Sequence, residues 1–286
     1  MTMRILALVV LTISCSAFGQ VHVGDFLLTV EGNKVVVNVA TGGGGYVPER
    51  VFRDRFGKLG PGLPNRTPDP GFNSVVGEFV AGQPVGLTIR RAARLWTPSV
   101  MMPGDGDFCT MPEERIEVRK NGIIISTPAT DPAGMVGPSL EIGTSDPIDG
   151  QFHEHAVYWL TTPFDAGVYL LEMEVWVGQP GGVAGGVGRS DALWLVLNQN
   201  AATTDVDDAV AWLRANVANV VGDGGPLCPA PAPVCACDWN QSGALSVQDI
   251  FDFLSSYFGG AGDFNGQGGA TVQDIFDFLT CYFGAC

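Results

Sequence analysis

The chain has 286 residues, with 30 Asp and Glu against 15 Lys and Arg, a formal net charge of -15. That balance argues against nucleic acid or an anionic membrane surface as a partner, because either would repel it. The length suits one sizeable domain plus a small second one.

At the N-terminus a single Arg4 precedes an apolar run from Ile5 to Ile13 and then small residues through Ala17 and Gly19. This order predicts a secretory signal peptide over 1–19, too short to span a bilayer permanently. Cys15 would suit a lipoprotein signal, but Thr12 stands where such signals carry Leu. No later run has the apolar length of a membrane span, so the protein is expected to be secreted or held at a cell surface, not integral to a membrane.

Residues 20–222 are predicted to form a mainly β, sandwich-like N-terminal domain. FLLTVEGNKVVVNV suggests two strands around a Gly-Asn turn, and RIEVRKNGIIIS a hairpin at Asn121-Gly122. Further strands are expected in GLTIRRAARLW, HEHAVYWL, GVYLLEMEVWV and DALWLVLN, with surface loops at 42–45, 59–72 and 178–188. Short strands separated by Gly and Pro favour an antiparallel sandwich over an α/β fold. One helix is expected over 205–221, with Asp205, Asp207 and Asp208 in its first turn complementing the helix dipole. Val206, Val210, Leu213, Val217 and Val220 would form its buried stripe, with Trp212 at the edge.

All three histidines, His22, His153 and His155, belong to this domain. His153 and His155 are two apart on an expected strand, so both would point to one face. A zinc site follows if the N-terminal strand lies beside them; two exposed histidines with no ligand is the competing reading. The segments HVGDFLLTVEGNKVVV and HEHAVYWLTTPFDAGVYLLEMEV also resemble a group of exported, surface-anchored bacterial proteins of unsettled function. Motifs of serine hydrolases, HExxH metalloproteases and P-loop or dinucleotide-binding proteins are absent from the sequence. Glu113, Glu114, Glu141, Glu172 and Glu174 are available carboxylates, and Glu172 and Glu174 are expected on a solvated polar face. Exposed Trp96, Trp159, Trp176 or Trp194 would suit stacking on polysaccharide, whereas a core position is the ordinary fate of tryptophan.

A Pro-rich stretch over 223–237 predicts a semi-rigid linker. Six cysteines follow the signal segment: Cys109, Cys228, Cys235, Cys237, Cys281 and Cys286. An even number in an exported chain suggests disulfides whose connectivity the spacing does not decide. Cys235 or Cys237 pairing with Cys281 or Cys286 would clasp the terminal segment; a soft-metal CxC site is the weaker alternative.

The last 49 residues, 238–286, carry six Asp and no Lys or Arg, and they repeat. DWNQSGALSVQDIFDFL begins at Asp238 and DFNGQGGATVQDIFDFL at Asp263. A hard cation needs six or seven oxygens, which a twelve-residue loop supplies from positions 1, 3, 5, 7, 9 and 12 with Gly at 6. Counting gives Asp238, Asn240, Ser242, Ala244 (carbonyl), Ser246 and Asp249 around Gly243. The second copy gives Asp263, Asn265, Gln267, Gly269 (carbonyl), Thr271 and Asp274 around Gly268. Two Ca2+ ions are therefore expected. After each loop comes an amphipathic helix whose stripe is expected to be Val247, Ile250, Phe251, Leu254, Tyr257 and Phe258, or Val272, Ile275, Phe276, Leu279, Tyr282 and Phe283. Neither helix buries that stripe alone, so the two are expected to pack face to face.

These residues resemble the dockerin module of secreted bacterial assembly proteins, in particular the cysteine-flanked modules at the C-termini of planctomycete-type exported proteins. The resemblance covers about one-sixth of the chain and rests on the paired DxNxxGxxxVQD motif. It implies a small all-α, EF-hand-like calcium module that docks noncatalytically onto a cohesin-like or other cell-surface or scaffold protein. Partner-contacting positions carried over from it are Val247, Gln248, Val272 and Gln273, with Phe253 and Phe278 flanking the core stripe. Ser242 and Gln267 stand where the family often has Asp, which predicts weaker calcium binding. A glycan-binding module or glycoside hydrolase carried by a dockerin, and a zinc-binding surface protein using the three histidines, are the other functional readings.

Overall fold

A computed structural model describes residues 24–41, 44–99, 104–182, 186–228 and 235–284. The signal segment, His22, the Pro-rich stretch 229–234 and Cys286 lie outside the described residues. The chain divides into two compact units between Cys228 and Pro229. Among the described residues, the first is built of β-sheets with one α-helix and a short 3-10 turn, the second of two α-helices.

In the first unit, β1 (Phe26–Glu31), β2 (Lys34–Ala40), β3 (Tyr46–Pro48), β6 (Phe72–Ser74) and β13 (His153–Glu154) form a five-stranded sheet in the order β13-β6-β1-β2-β3. A four-stranded sheet contains β5 (Arg66–Thr67), β10 (Ile116–Lys120), β11 (Ile123–Ser126) and β14 (Val157–Leu160). The largest sheet joins β4 (Val51–Arg55), β7 (Pro84–Ile89), β12 (Ser139–Thr144), β15 (Gly167–Val177) and β16 (Leu193–Gln199), with β8 (Arg94–Pro98) and β9 (Gly106–Thr110) attached. Pairing is antiparallel except between β1 and β6 and between β16 and β4.

Side-chain alternation explains why the largest sheet is central. Along β15, Tyr169, Leu171, Met173, Val175 and Val177 enter a core shared by all three sheets. Val168 and Leu170 face the other way, with Trp194 and Val196 of β16, against the helix α1 (Thr203–Asn216). Both faces are covered, so the strand is apolar almost throughout. α1 starts two residues earlier than its sequence suggests, which leaves only Asp205 in the first turn. It stops at Asn216 because Val217 leaves the helical region, and Gly225 N–H then bonds the Val217 carbonyl at 2.9 Å. Val220 consequently lies beyond the helix and is exposed.

Residues 223–228 were expected to begin the linker but belong to the β unit. Leu227 is buried beneath α1, and a disulfide joins Cys228 to Cys109. Asp223 binds Arg90 Nη2 at 2.6 Å. That bond is one edge of an ionic cluster that corrects the solvated-face expectation for Glu172 and Glu174. Arg90 Nε and Nη1 reach Glu172 and Glu174 at 3.0 and 2.7 Å, and all three side chains are buried. Arg91 adds 2.8 Å to Glu172 and Arg189 adds 2.9 Å to Glu174, so each buried glutamate has two arginine partners. Turning Arg90 inward also divides the expected strand GLTIRRAARLW into β7 and β8.

The second unit holds α2 (Val247–Phe258) and α3 (Val272–Gly284). Its core is aromatic: Phe253 and Phe278 lie at the centre, with Trp239, Phe264, Tyr257 and Tyr282 packed around them. Here the expected stripe is rotated. Phe253 and Phe278 are 1% and 0% exposed, whereas Phe251 and Phe276 are each 61% exposed. The carried-over partner role of Phe253 and Phe278 is therefore wrong, because their rings make the interface between the two helices. A disulfide joins Cys237 to Cys281, and Cys235 is disulfide-bonded as well, which removes the thiolates a soft-metal site would need.

Candidate functional site

The two repeated loops share most of their hydrogen bonds at an offset of 25 residues. Asp238 accepts from Ser242 N–H at 2.9 Å and Gly243 N–H at 2.7 Å; Asp263 accepts from Gln267 and Gly268 at 3.1 and 3.0 Å, and from Gly269 at 2.9 Å. Gly243 and Gly268 have φ of +86° and +103°, the left-handed turn that the sixth loop position requires. Asn240 and Asn265 accept through Oδ1 from the N–H of residues 242 and 267 at 3.0 Å in both loops.

Position twelve does two jobs. Asp249 Oδ2 accepts from the N–H and hydroxyl of Ser246 at 2.8 and 3.1 Å, and Asp274 Oδ2 accepts from Thr271 at 2.7 and 2.8 Å. These carboxylates cap the helices that follow, so loop closure and helix initiation share a residue. Their other oxygens accept from Asn240 and Asn265 N–H at 3.3 and 3.1 Å. The N–H groups of Asn265 and Thr271 bring the Asp274 carboxyl down to about 2. For Asp249 burial pushes upward, but donors from Ser246 and Asn240 outweigh it and the net shift is downward. Asp263 is lowered by the Gly269 and Gly268 N–H groups. These groups therefore keep their charge where an ordinary carboxyl would begin to lose it.

Two further carboxylates were not visible in the loop count. Asp252 Oδ2 accepts from Asn240 Nδ2 at 3.0 Å, and Asp277 Oδ2 from Asn265 Nδ2 at 2.8 Å. Gln248 and Gln273 each donate to the same Asp at 2.8 Å. Held by its nitrogen, each Asn keeps its carbonyl oxygen turned to the loop. Gln248 and Gln273, expected at a partner surface, thus brace the aspartate that holds the asparagine of each loop. Their i, i+4 spacing to Asp252 and Asp277 was the available signal.

A second cluster lies in the β unit. β6 pairs with β1 on one side and β13 on the other, which brings Asp25, just before β1, into line with His155, just after β13. The expected single strand HEHAVYWL is two: β13 in one sheet and β14 in another, with His155 at the crossing. Even so, the two rings converge, with Nε2 atoms 3.2 Å apart. Ligand atoms of Asp25, His153 and His155 all lie within 4.8 Å of one another. β6 was missed because its three residues follow a Gly/Pro stretch read as loop.

The tryptophans do not offer a sugar platform. Trp96, Trp176 and Trp194 are buried, and Trp159 has the Arg66 and Arg119 guanidinium carbons 3.1 and 3.3 Å from its ring centre. Glu114 is buried and accepts from the Tyr169 hydroxyl at 3.0 Å.

No protein-family model, no curated protein and no solved structure matches this chain.

Proposed function

We propose that residues 238–286 form a dockerin-like module that binds two calcium ions and, so loaded, anchors a β-sandwich domain to a cell-surface or scaffold protein. The observation that carries this reading is the shared hydrogen-bond pattern of the two loops, in which positions 1, 3 and 12 accept from the same backbone positions in both copies. Each gathers two Asp carboxylates, an Asn carbonyl and a hydroxyl or amide around a left-handed glycine, the donor set a hard cation requires. Backbone N–H groups hold these oxygens in place. Calcium would take over the carboxylates and tie each loop to the helix capped by its twelfth residue.

Docking is supported by a second equivalence. Val247 and Val272 are 61% and 62% exposed, beside Phe251 and Phe276. The module thus presents two like apolar faces, each at the start of a helix whose position its loop controls. Export of the protein, on the signal reading of residues 1–19, accords with its disulfides.

Calorimetric titration of the oxidised full chain with calcium tests the reading. Two ions per chain are expected, and none in Asp238→Ala with Asp263→Ala. Undiminished uptake in that double variant would overturn the loop assignment.

A further inference from the structure

We propose that Asp25, His153 and His155 form a binding site for one divalent transition-metal ion of the zinc class. The site is chemically distinct from the oxygen-lined loops and independent of the docking reading.

Geometry argues first. Two imidazole nitrogens bound to one tetrahedral zinc at about 2.0–2.1 Å stand about 3.3 Å apart. His153 Nε2 and His155 Nε2 are 3.2 Å apart. Asp25 Oδ2 lies 3.9 Å from His155 Nε2 and the ligand atoms of all three residues lie within 4.8 Å of one another, so sharing one ion asks the carboxylate to close toward the imidazoles by roughly half to one and a half ångström.

Protonation argues next. His155 Nδ1 lies 3.0 Å from the Pro68 carbonyl oxygen and 3.3 Å from Asp69 Oδ1. A carbonyl only accepts, so Nδ1 is the donor to Pro68 and Nε2 is the nitrogen turned toward His153. A histidine oriented by a carbonyl and a carboxylate at its other nitrogen is the usual support of a metal ligand. Asp69 is itself held by Lys58 Nζ at 3.1 Å through its second oxygen.

The surroundings are built for these positions. Asp25 is buried and accepts from Gly71 N–H at 2.7 Å and Asn73 Nδ2 at 2.8 Å. The His155 ring packs on Gly71 so closely that a Cβ there would stand 2.4 Å from its Cε1. One short segment, residues 68–71, therefore positions both a carboxylate and an imidazole. A cleft of about 220 Å³ lined by Asp25, Asp69 and Lys58 gives solvent a way in, and His153 is exposed on the outer side. Two nitrogens and one oxygen favour zinc over calcium or magnesium.

The test uses the full oxidised chain, stripped with a chelator, returned to excess calcium and titrated with zinc chloride. Excess calcium occupies the hard-oxygen loops, so a chain that fails to bind calcium but retains zinc would sink the docking reading and leave this one standing. One zinc per chain is expected, with tetrahedral visible absorption when cobalt(II) replaces it. His153→Ala, a change at an exposed side chain, should lose the ion while keeping the circular dichroism of the parent. Asp69→Asn, which removes no ligand, should weaken binding on the order of 10- to 100-fold. Absence of zinc from the parent, or full retention of it in His153→Ala joined with His155→Ala, would overturn the proposal.

Discussion

Phe253 and Phe278 stack face to face, their ring centres 4.1 Å apart and their planes within 4°. They are the same residue of the two repeats, so the rings meet where the copies meet. Trp239 and Phe264, again equivalent, meet the pair edge-on: Trp239 lies 5.1 Å from Phe253, and Phe264 lies 5.5 Å from Phe278. A unit this small has no second core to fall back on. Phe253→Ala or Phe278→Ala should therefore cost about 3–5 kcal/mol, enough to unfold the helical unit. Phe251→Ala, at an exposed position, should stay within about 0.5 kcal/mol. Hydrogen exchange of α2 and α3 in the intact chain distinguishes them: the core variants lose protection in both helices together, the surface variant in neither.

The loop carboxylates make the same unit sensitive to acid. The folded pKa of Asp274, about 2, lies below its ordinary 3.8, and Asp249 and Asp263 shift the same way. A depressed carboxyl stabilises the fold above its unfolded value, and that stabilisation is lost as pH falls toward the folded value. Protection of α2 and α3 in metal-free protein should hold above about pH 4 and decline between about 4 and 2. Asp274→Asn should flatten that decline. An unchanged acid profile in the variant would mean the N–H donors at residues 265 and 271 do not control the transition.

Removing Arg90 should be far more damaging than removing a surface arginine. Glu172 is pushed up by burial against the pull of Arg91 and Arg90, so it depends on those cations to remain charged. Arg90→Met leaves Glu172 and Glu174 short of compensation inside the sheet and should cost about 3–5 kcal/mol. Adding Glu172→Gln and Glu174→Gln removes the stranded charges and should recover part of the loss. Chemical denaturation of the β unit reads the difference; equal stabilities for the single and triple variants would show that the charges contribute little.

What the sequence made legible followed from local rules. The Asn121-Gly122 hairpin, the strand pair around Asn33, and the helices after each repeat all form where turn chemistry and periodicity place them. Misreadings arose where tertiary partners decide. An eleven-residue strand carrying Glu172 and Glu174 looks half-solvated until Arg90, 82 residues earlier than Glu172, is seen to enter from the break between β7 and β8. VQDIFDFL places phenylalanine at two positions two residues apart, and both satisfy a broad apolar stripe. Only the stacking of one copy on the other decides that Phe253, not Phe251, is inside. The histidine pair was visible as HxH, but Asp25 joins it through β6, a three-residue strand with no periodicity to betray it.

The exposed pair, Phe251 and Phe276, carries the last prediction. Each side chain is 61% exposed beside a valine of equal exposure, an arrangement a folded chain gains nothing from unless something covers it. Buried aromatic anchors at an interface commonly contribute about 2 kcal/mol or more when truncated. If the two faces are alternative docking surfaces, Phe251→Asp alone leaves the second usable and halves the available orientations. The double variant, with Phe276→Asp, has neither. Calcium-loaded protein immobilised on a sensor should retain cell-envelope components when either single variant is used and lose them with the double variant, while calcium stoichiometry stays at two throughout. Sedimentation of the parent over a range of concentrations separates this from self-association. A mass that rises with concentration and returns to the monomer in the double variant would mean that the faces cover each other, and the docking assignment would give way to a calcium-controlled dimer.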